Sequence, residues 1–124
     1  MIRGHCLCGD IRFETSATVT EPCMCHCGQC RRQSGGIWAS AQVPYDALKI
    51  SGTPSWFVVS DQARRGFCQR CGSFLFWQGA GEDEISFALG ALEPGAGIKI
   101  AKHIFVADKG DYYDIADGVP QSEQ

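Results

Sequence analysis

Polar and apolar side chains alternate through Asp10-Ile11-Arg12-Phe13-Glu14-Thr15. A period of two is the mark of a half-buried strand. Ile37-Trp38-Ala39-Ser40-Ala41-Gln42-Val43, Ser55-Trp56-Phe57-Val58-Val59-Ser60, Ser73-Phe74-Leu75-Phe76-Trp77 and Glu84-Ile85-Ser86-Phe87-Ala88-Leu89 also predict strands, rich in β-branched and aromatic residues. Leu48-Lys49-Ile50 predicts a short strand, and Arg64 to Phe67 an extended lead into Cys68. Ile98-Lys99-Ile100 and His103-Ile104-Phe105-Val106 read as the last strands. Between these segments Thr18 to Pro22 reads as a connector, and Pro44 to Leu48 as a turn with proline early. Arg31-Arg32-Gln33 reads as a helical turn stopped by Ser34-Gly35-Gly36. Tyr112-Tyr113-Asp114-Ile115 is placed against the body, and residues 118–124 form a polar tail expected to fray. Short strands broken by turns, with no repeat and no long helical pattern, predict a mainly β fold. The expected organisation is a single domain over 1–124.

Composition narrows the class. A chain that is 44% apolar and 20% charged is an ordinary soluble globule. Its net charge of −3 argues against a nucleic-acid module, and no apolar run is long enough for a membrane span. The start, Met1-Ile2-Arg3-Gly4-His5-Cys6, lacks the apolar centre of a signal peptide, so the expected compartment is the reducing cytoplasm.

That expectation sets the reading of the eight cysteines, which all fall in three clusters. In a secreted chain they would suggest disulfides; in a reducing compartment, Cys-x-Cys and Cys-x-x-Cys spacings point to metal. Cys6 and Cys8 flank one residue and, in an extended chain, face the same side. Cys68 and Cys71 have knuckle spacing. Together the two pairs make a closed four-thiolate site, the form of a structural zinc that stabilises the fold.

The central run Cys23-Met24-Cys25-His26-Cys27-Gly28-Gln29-Cys30 holds the other four. On a straight strand Cys23 and Cys27 would lie about 13 Å apart. Two thiolates on one tetrahedral zinc sit only about 3.8 Å apart, given Zn–S bonds of about 2.3 Å. The chain must bend, and Cys27-Gly28-Gln29-Cys30 is the natural place, which makes Cys25, Cys27 and Cys30 the easiest trio. Three protein ligands leave a fourth position open, as in a catalytic zinc. Three thiolates also make the ion electron-rich and soft, suited to holding an incoming thiol rather than ionising water. The competing arrangement closes the site with Cys23 or His26. His5 and His103 read first as structural residues. Arg31 and Arg32 either offset the trio's charge, bind a substrate carboxylate or lie on a solvated turn. The aromatic residues read chiefly as core, with one of them free to line a cleft.

Gly4-x-Cys6-x-Cys8-Gly9, then Cys25-His26-Cys27-x-x-Cys30-Arg31 with Ser34-Gly35, then Phe67-Cys68-x-x-Cys71-Gly72 and a late His103-Ile104-Phe105-Val106 resemble the glutathione-dependent formaldehyde-activating enzyme family, also called the CENP-V/GFA domain. The resemblance runs from about Gly4 to Asp114. It implies a complex fold of several coiled antiparallel β-sheets with two zinc ions per chain. It places Cys6, Cys8, Cys68 and Cys71 on a structural zinc and Cys25, Cys27 and Cys30 on a catalytic one. The implied activity is that of a carbon–sulfur lyase type, run in the direction that joins glutathione to formaldehyde as S-hydroxymethylglutathione. The implied partners are a small thiol and an aldehyde, with no nucleic acid and no membrane. The alternative is a non-catalytic zinc-stabilised module or glutathione carrier. Neither residues nor resemblance sets the oligomeric state.

Overall fold

The computed structural model describes residues 1–124. Strands β1 (Ile2–His5), β2 (Arg12–Thr15) and β5 (Lys49–Ser51) form a small antiparallel sheet. A larger sheet runs in the order β10 (Lys102–Ile104), β3 (Thr20–Cys25), β4 (Trp38–Pro44), β9 (Glu84–Ala88), β8 (Phe74–Gly79), β7 (Ala63–Phe67) and β6 (Ser55–Ser60). Its pairs are antiparallel except that β10 lies parallel to β3, opposing Ile104 to Cys25.

The alternation along the chain fills the space between the sheets. Phe13 of β2 meets Phe76 of β8 edge-on at 5.4 Å and Phe87 of β9 at 5.5 Å. Val43, Leu75 and Ile85 close around them. Each such side chain contributes roughly 1.5–3 kcal/mol by leaving water. Cys6 and Cys68 belong to this same core, whereas Cys25 and Cys30 pack with Trp38 and Ala88 in a smaller separate cluster.

The chain departs from the sequence reading in several places. The expected connector 18–22 is already strand from Thr20, with a register shift between Thr20 and Cys23 and a left-handed Glu21 at φ 52°. Pro22 has no N–H for a ladder, so the proline that reads as a break sits in a bulge. Ile98-Lys99-Ile100 forms no strand, and regular pairing begins only at Lys102. The helical turn is longer than expected, α1 spanning Gly28–Ser34.

The polar tail does not fray. His103 N–H donates to Pro120 O at 2.8 Å, Ser122 N–H to His103 O at 2.9 Å, and Val106 N–H to Ser122 O at 3.0 Å. Tyr113, as expected of the segment around it, packs on the body, where it meets His26. His26 and His103 are both buried, with Nε2 of the first 2.8 Å from Nδ1 of the second. Nε2 of His103 lies 2.9 Å from the Asp117 carboxylate. An ionised carboxylate only accepts, so His103 Nε2–H donates to Asp117. With both imidazoles neutral, His26 Nε2–H donates to His103 Nδ1 and Tyr113 O–H donates to His26 Nδ1. Burial first, and the neighbouring His103 second, hold His26 below the usual imidazole range. The C-terminal segment is thus tied to the residue between Cys25 and Cys27.

Tyr113→Phe keeps the ring and removes only the hydroxyl. It leaves His26 Nδ1 buried without a donor, so urea denaturation should show a loss of about 1–2 kcal/mol. A variant as stable as the parent would show that this chain of hydrogen bonds does not hold the segment.

Candidate metal centres and the cleft

Cys6 and Cys8 lie in a turn just past β1, as their Cys-x-Cys-Gly spacing leads one to expect. Gly9 N–H closes that turn on Cys6 O at 3.1 Å, and Gly72 N–H closes the second on Cys68 O at 2.8 Å. Both glycines are left-handed, at φ 84° and 81°, a conformation that side-chain-bearing residues seldom adopt. Ser73 ties the two turns together, its hydroxyl accepting from Leu7 N–H at 3.1 Å and its carbonyl from Cys68 N–H at 3.0 Å. The outcome is a cluster of Cys6, Cys8, Cys68 and Cys71 whose sulfurs all lie within 4.8 Å of one another. The Cys6–Cys8 and Cys8–Cys68 sulfur separations are 3.6 and 3.7 Å. No cysteine of the chain is in a disulfide. The Ser73 hydroxyl and N–H draw the Cys71 thiol down to about 5.

The second cluster forms where β3 runs into α1. The chain bends at the predicted step, and Cys27 becomes the N-cap, its Sγ accepting Cys30 N–H at 3.3 Å. This brings Cys25, Cys27 and Cys30 within 4.8 Å. Hydrogen bonds from the Cys25 and Cys30 thiols, helped by the N–H groups of Cys30 and Gln29, pull Cys27 down to about 2. The same contacts, with burial, push Cys25 up. Without a cation, the cluster's negative charge therefore rests on Cys27.

Neither competitor joins this cluster. Cys23 shares the strand face of Cys25 but turns its sulfur towards Ser40 Oγ, 4.0 Å away, where burial raises its pKa. His26 is occupied by Tyr113 and His103. His5 is also outside the clusters, its Nε2 3.1 Å from Glu93. Both clusters fit zinc by donor type, all thiolate; the separations in the four-cysteine cluster are close to the 3.8 Å or so that tetrahedral coordination asks, and the trio's sulfurs lie within 4.8 Å.

The open side of the trio faces a cleft of about 600 Å³. Trp38 and Trp77 line it, together with the hydroxyls of Ser40 and Ser86 and the charged residues Glu21, Arg32, Arg65 and Asp108. Two tryptophans expected chiefly in the core therefore also form a wall. The cation touching the trio is neither Arg31 nor Arg32. Arg32 donates to Gly28 O at 3.3 Å, and both sit in the last turn of α1, where positive charge suits the helix C-terminus. Arg65 of β7 holds that place, 4% exposed, with Nη1 and Nη2 at 3.5 and 3.6 Å from Cys30 Sγ. Sequence reasoning passed over it. Its one signal was the Arg64-Arg65 pair on a strand, where neighbours must point to opposite faces. Arg64 lies over the Trp56 ring at 3.9 Å.

Metal analysis of protein purified under reducing conditions is expected to give two zinc ions per chain, one for each cluster. Cys68→Ser should lower that content and cost on the order of several kcal/mol in chemical denaturation, since its site joins distant parts of the core. Cys27→Ser should lower the content equally while costing clearly less stability. Equal melting of the two variants would show that the clusters do not divide in this way.

A family profile described as glutathione-dependent formaldehyde-activating enzyme matches residues 1–108. A search of curated proteins finds no match. Among solved structures, the chain is similar to a crystal structure of a Rhodobacter sphaeroides protein, with a TM-score of 0.59 and 25% identity over 78% of this chain and 90% of that one. No helix here is long and apolar enough to cross a membrane. With the profile covering most of the chain, including both cysteine clusters and every residue that lines the cleft, the chain belongs to the glutathione-dependent formaldehyde-activating enzyme family.

Proposed function

We propose that this protein is a zinc-dependent enzyme of the carbon–sulfur lyase type that adds the thiol of glutathione to formaldehyde or a related small aldehyde. The observation that carries this reading is the contrast between the clusters. One has four cysteines and is built into the main core; the other has three and opens on a cleft. Cys6, Cys8, Cys68 and Cys71 are assigned to a structural zinc, and Cys25, Cys27 and Cys30 to a catalytic one. When bound at the trio, zinc supplies a free coordination position and a soft Lewis acid that favours the thiolate form of an incoming thiol.

The chain's own residues account for the rest. The tryptophan walls keep the thiol and the aldehyde out of bulk water and close together, which lowers the entropic part of the barrier. The sulfur adds to the carbonyl carbon: one carbon–sulfur bond forms while the carbon–oxygen π bond breaks. The thiol's proton ends on the new hydroxyl, so no oxidant or reductant is consumed. The Ser40 and Ser86 hydroxyls, both lining the cleft, are assigned to pass that proton. Arg32 is assigned to a carboxylate of the thiol substrate. Eight free thiols suit a reducing compartment, and the cytoplasm is the proposed one.

Calorimetric titration of reduced glutathione into zinc-loaded protein tests the assignment. Saturable binding is expected, lost in Cys30→Ser with the fold retained. If fully loaded protein binds no glutathione, or if the variant binds it unchanged, the trio is not the thiol site.

A further inference from the structure

Arg65 is a charge buried without a carboxylate. A guanidinium stays ionised in proteins, and removing it from water is costly unless something compensates. No ion pair of the structure includes it. Its donors go to Cys30 Sγ and, at 3.4 Å, to Gln33 Oε1, while Nε has no partner. Phe74 lies on its other side, 5.3 Å from the guanidinium carbon. The negative charge that Arg65 meets is therefore the sulfur cluster, and Arg65 meets it while lining the cleft from which a ligand arrives.

Charge arithmetic gives this contact a chemical consequence, on the reading above that the trio holds a dication with an open position. Three thiolates on a dication sum to −1, and a thiolate as fourth ligand brings the sum to −2. Such a centre repels the ligand it is meant to take. A guanidinium in contact with one of the sulfurs offsets a unit of that charge at short range and in a site shielded from water, where screening is weak. A neutral fourth ligand does not change the charge and gains nothing comparable from the arginine.

We propose that Arg65 sets the ligand specificity of the three-cysteine centre, making it take an anionic fourth ligand, a thiolate, in preference to a neutral one. It acts through Cys30 and the field in the cleft, and so is a positioning residue rather than a reacting one. A merely structural arginine would stabilise the fold and the metal, and its loss would weaken all ligands alike.

The test uses cobalt-substituted protein, read by its visible bands. Three probes are titrated separately: 2-mercaptoethanol, which presents a thiolate without glutathione's carboxylates; azide, a small anion; and imidazole, a neutral donor. Arg65→Met and Arg65→Gln should weaken mercaptoethanol and azide by about tenfold or more while leaving imidazole unchanged, the size expected for a unit charge lost a few ångströms away. Arg65→Lys should restore most of the preference. If all three probes weaken together, or none does, the inference is overturned and the open site stands. Should one neutral variant fail to hold cobalt, the other gives the same ratio. Should both fail, Arg65→Lys decides: a preference for anions kept with the charge supports the inference, and its loss overturns it. Wild-type bands that respond to no probe would instead sink the open site itself, and the inference with it.

Discussion

Sulfurs this close together cannot all ionise unaided. Two thiolates about 4 Å apart repel by about 4 kcal/mol at an effective dielectric of about 20, and a cluster contains several such pairs. Either protons or a cation must settle the conflict. The trio shows the proton solution, with Cys27 held down to about 2 and Cys25 pushed up, so that one sulfur carries the charge and its neighbours donate to it. A dication resolves it for all the sulfurs at once. For the four-cysteine cluster this has a topological consequence, because the cation would join a turn after β1 to a turn after β7 inside one core. Closing so long a loop costs the chain only slowly rising entropy, while the bonds that close it act only in the folded state.

The difference between the clusters comes from the backbone that delivers them. Two tight turns, each ended by a left-handed glycine, bring four sulfurs within 4.8 Å of one another, the full set for a tetrahedral ion. A strand running into a helix delivers three. The strand's period of two sends Cys23 to the same face as Cys25 but too far along to join it, and the helix N-cap uses Cys27 to bring Cys30 back. The face left over is the cleft. β3 is held in place from both sides, antiparallel to β4 and parallel to β10. β10 in turn is pinned by residues 120–122, whose backbone pairs with His103 and Val106. That C-terminal segment lies beyond the residues matched by the family profile, yet through Tyr113 it reaches the histidine between two of the cysteines.

What could be read from the sequence was whatever depends on local spacing. Alternation located most strands, and the bond length of a zinc thiolate sufficed to demand a bend at Cys27-Gly28 and to prefer the trio over Cys23. What could not be read depends on partners far along the chain. Pro22 says break, and only pairing with β4 turns the break into a bulge. Residues 118–124 look like solvent-exposed tail, since nothing in their composition reveals the free backbone edge of β10 that receives them. His26 and His103 looked structural or idle one at a time, and became one hydrogen-bonded chain only when the fold placed Asp117 and Tyr113 at the two ends. Arg64 and Arg65 are identical neighbours. Alternation guarantees that one faces away from the other, but which of them meets Trp56 and which meets Cys30 is settled by the register of β7 with β6 and β8.

The charges around the cleft bear on which thiol the site is built for. A plain alkyl thiol needs only the sulfur cluster and the tryptophans. The cleft carries more: Arg32 on α1, and Glu21 and Asp108 from the chain around β3 and β10. Glu21 already pairs with Lys102 at 3.3 Å, so Asp108 is the acid with no ion-pair partner. Acidic side chains near a centre that already carries excess negative charge would work against any simple thiolate, because they add to the repulsion. They are accounted for if the ligand brings a positive group of its own. Glutathione does, with one ammonium and two carboxylates, so that one molecule can answer both signs of charge while its sulfur reaches the trio. Exposed, each of these pairings is worth little, on the order of 1 kcal/mol or less. On the proposed function their value would lie in orientation, since a ligand held at both ends presents its sulfur in one direction, and Arg65 lies beside the sulfur cluster at which that sulfur would arrive.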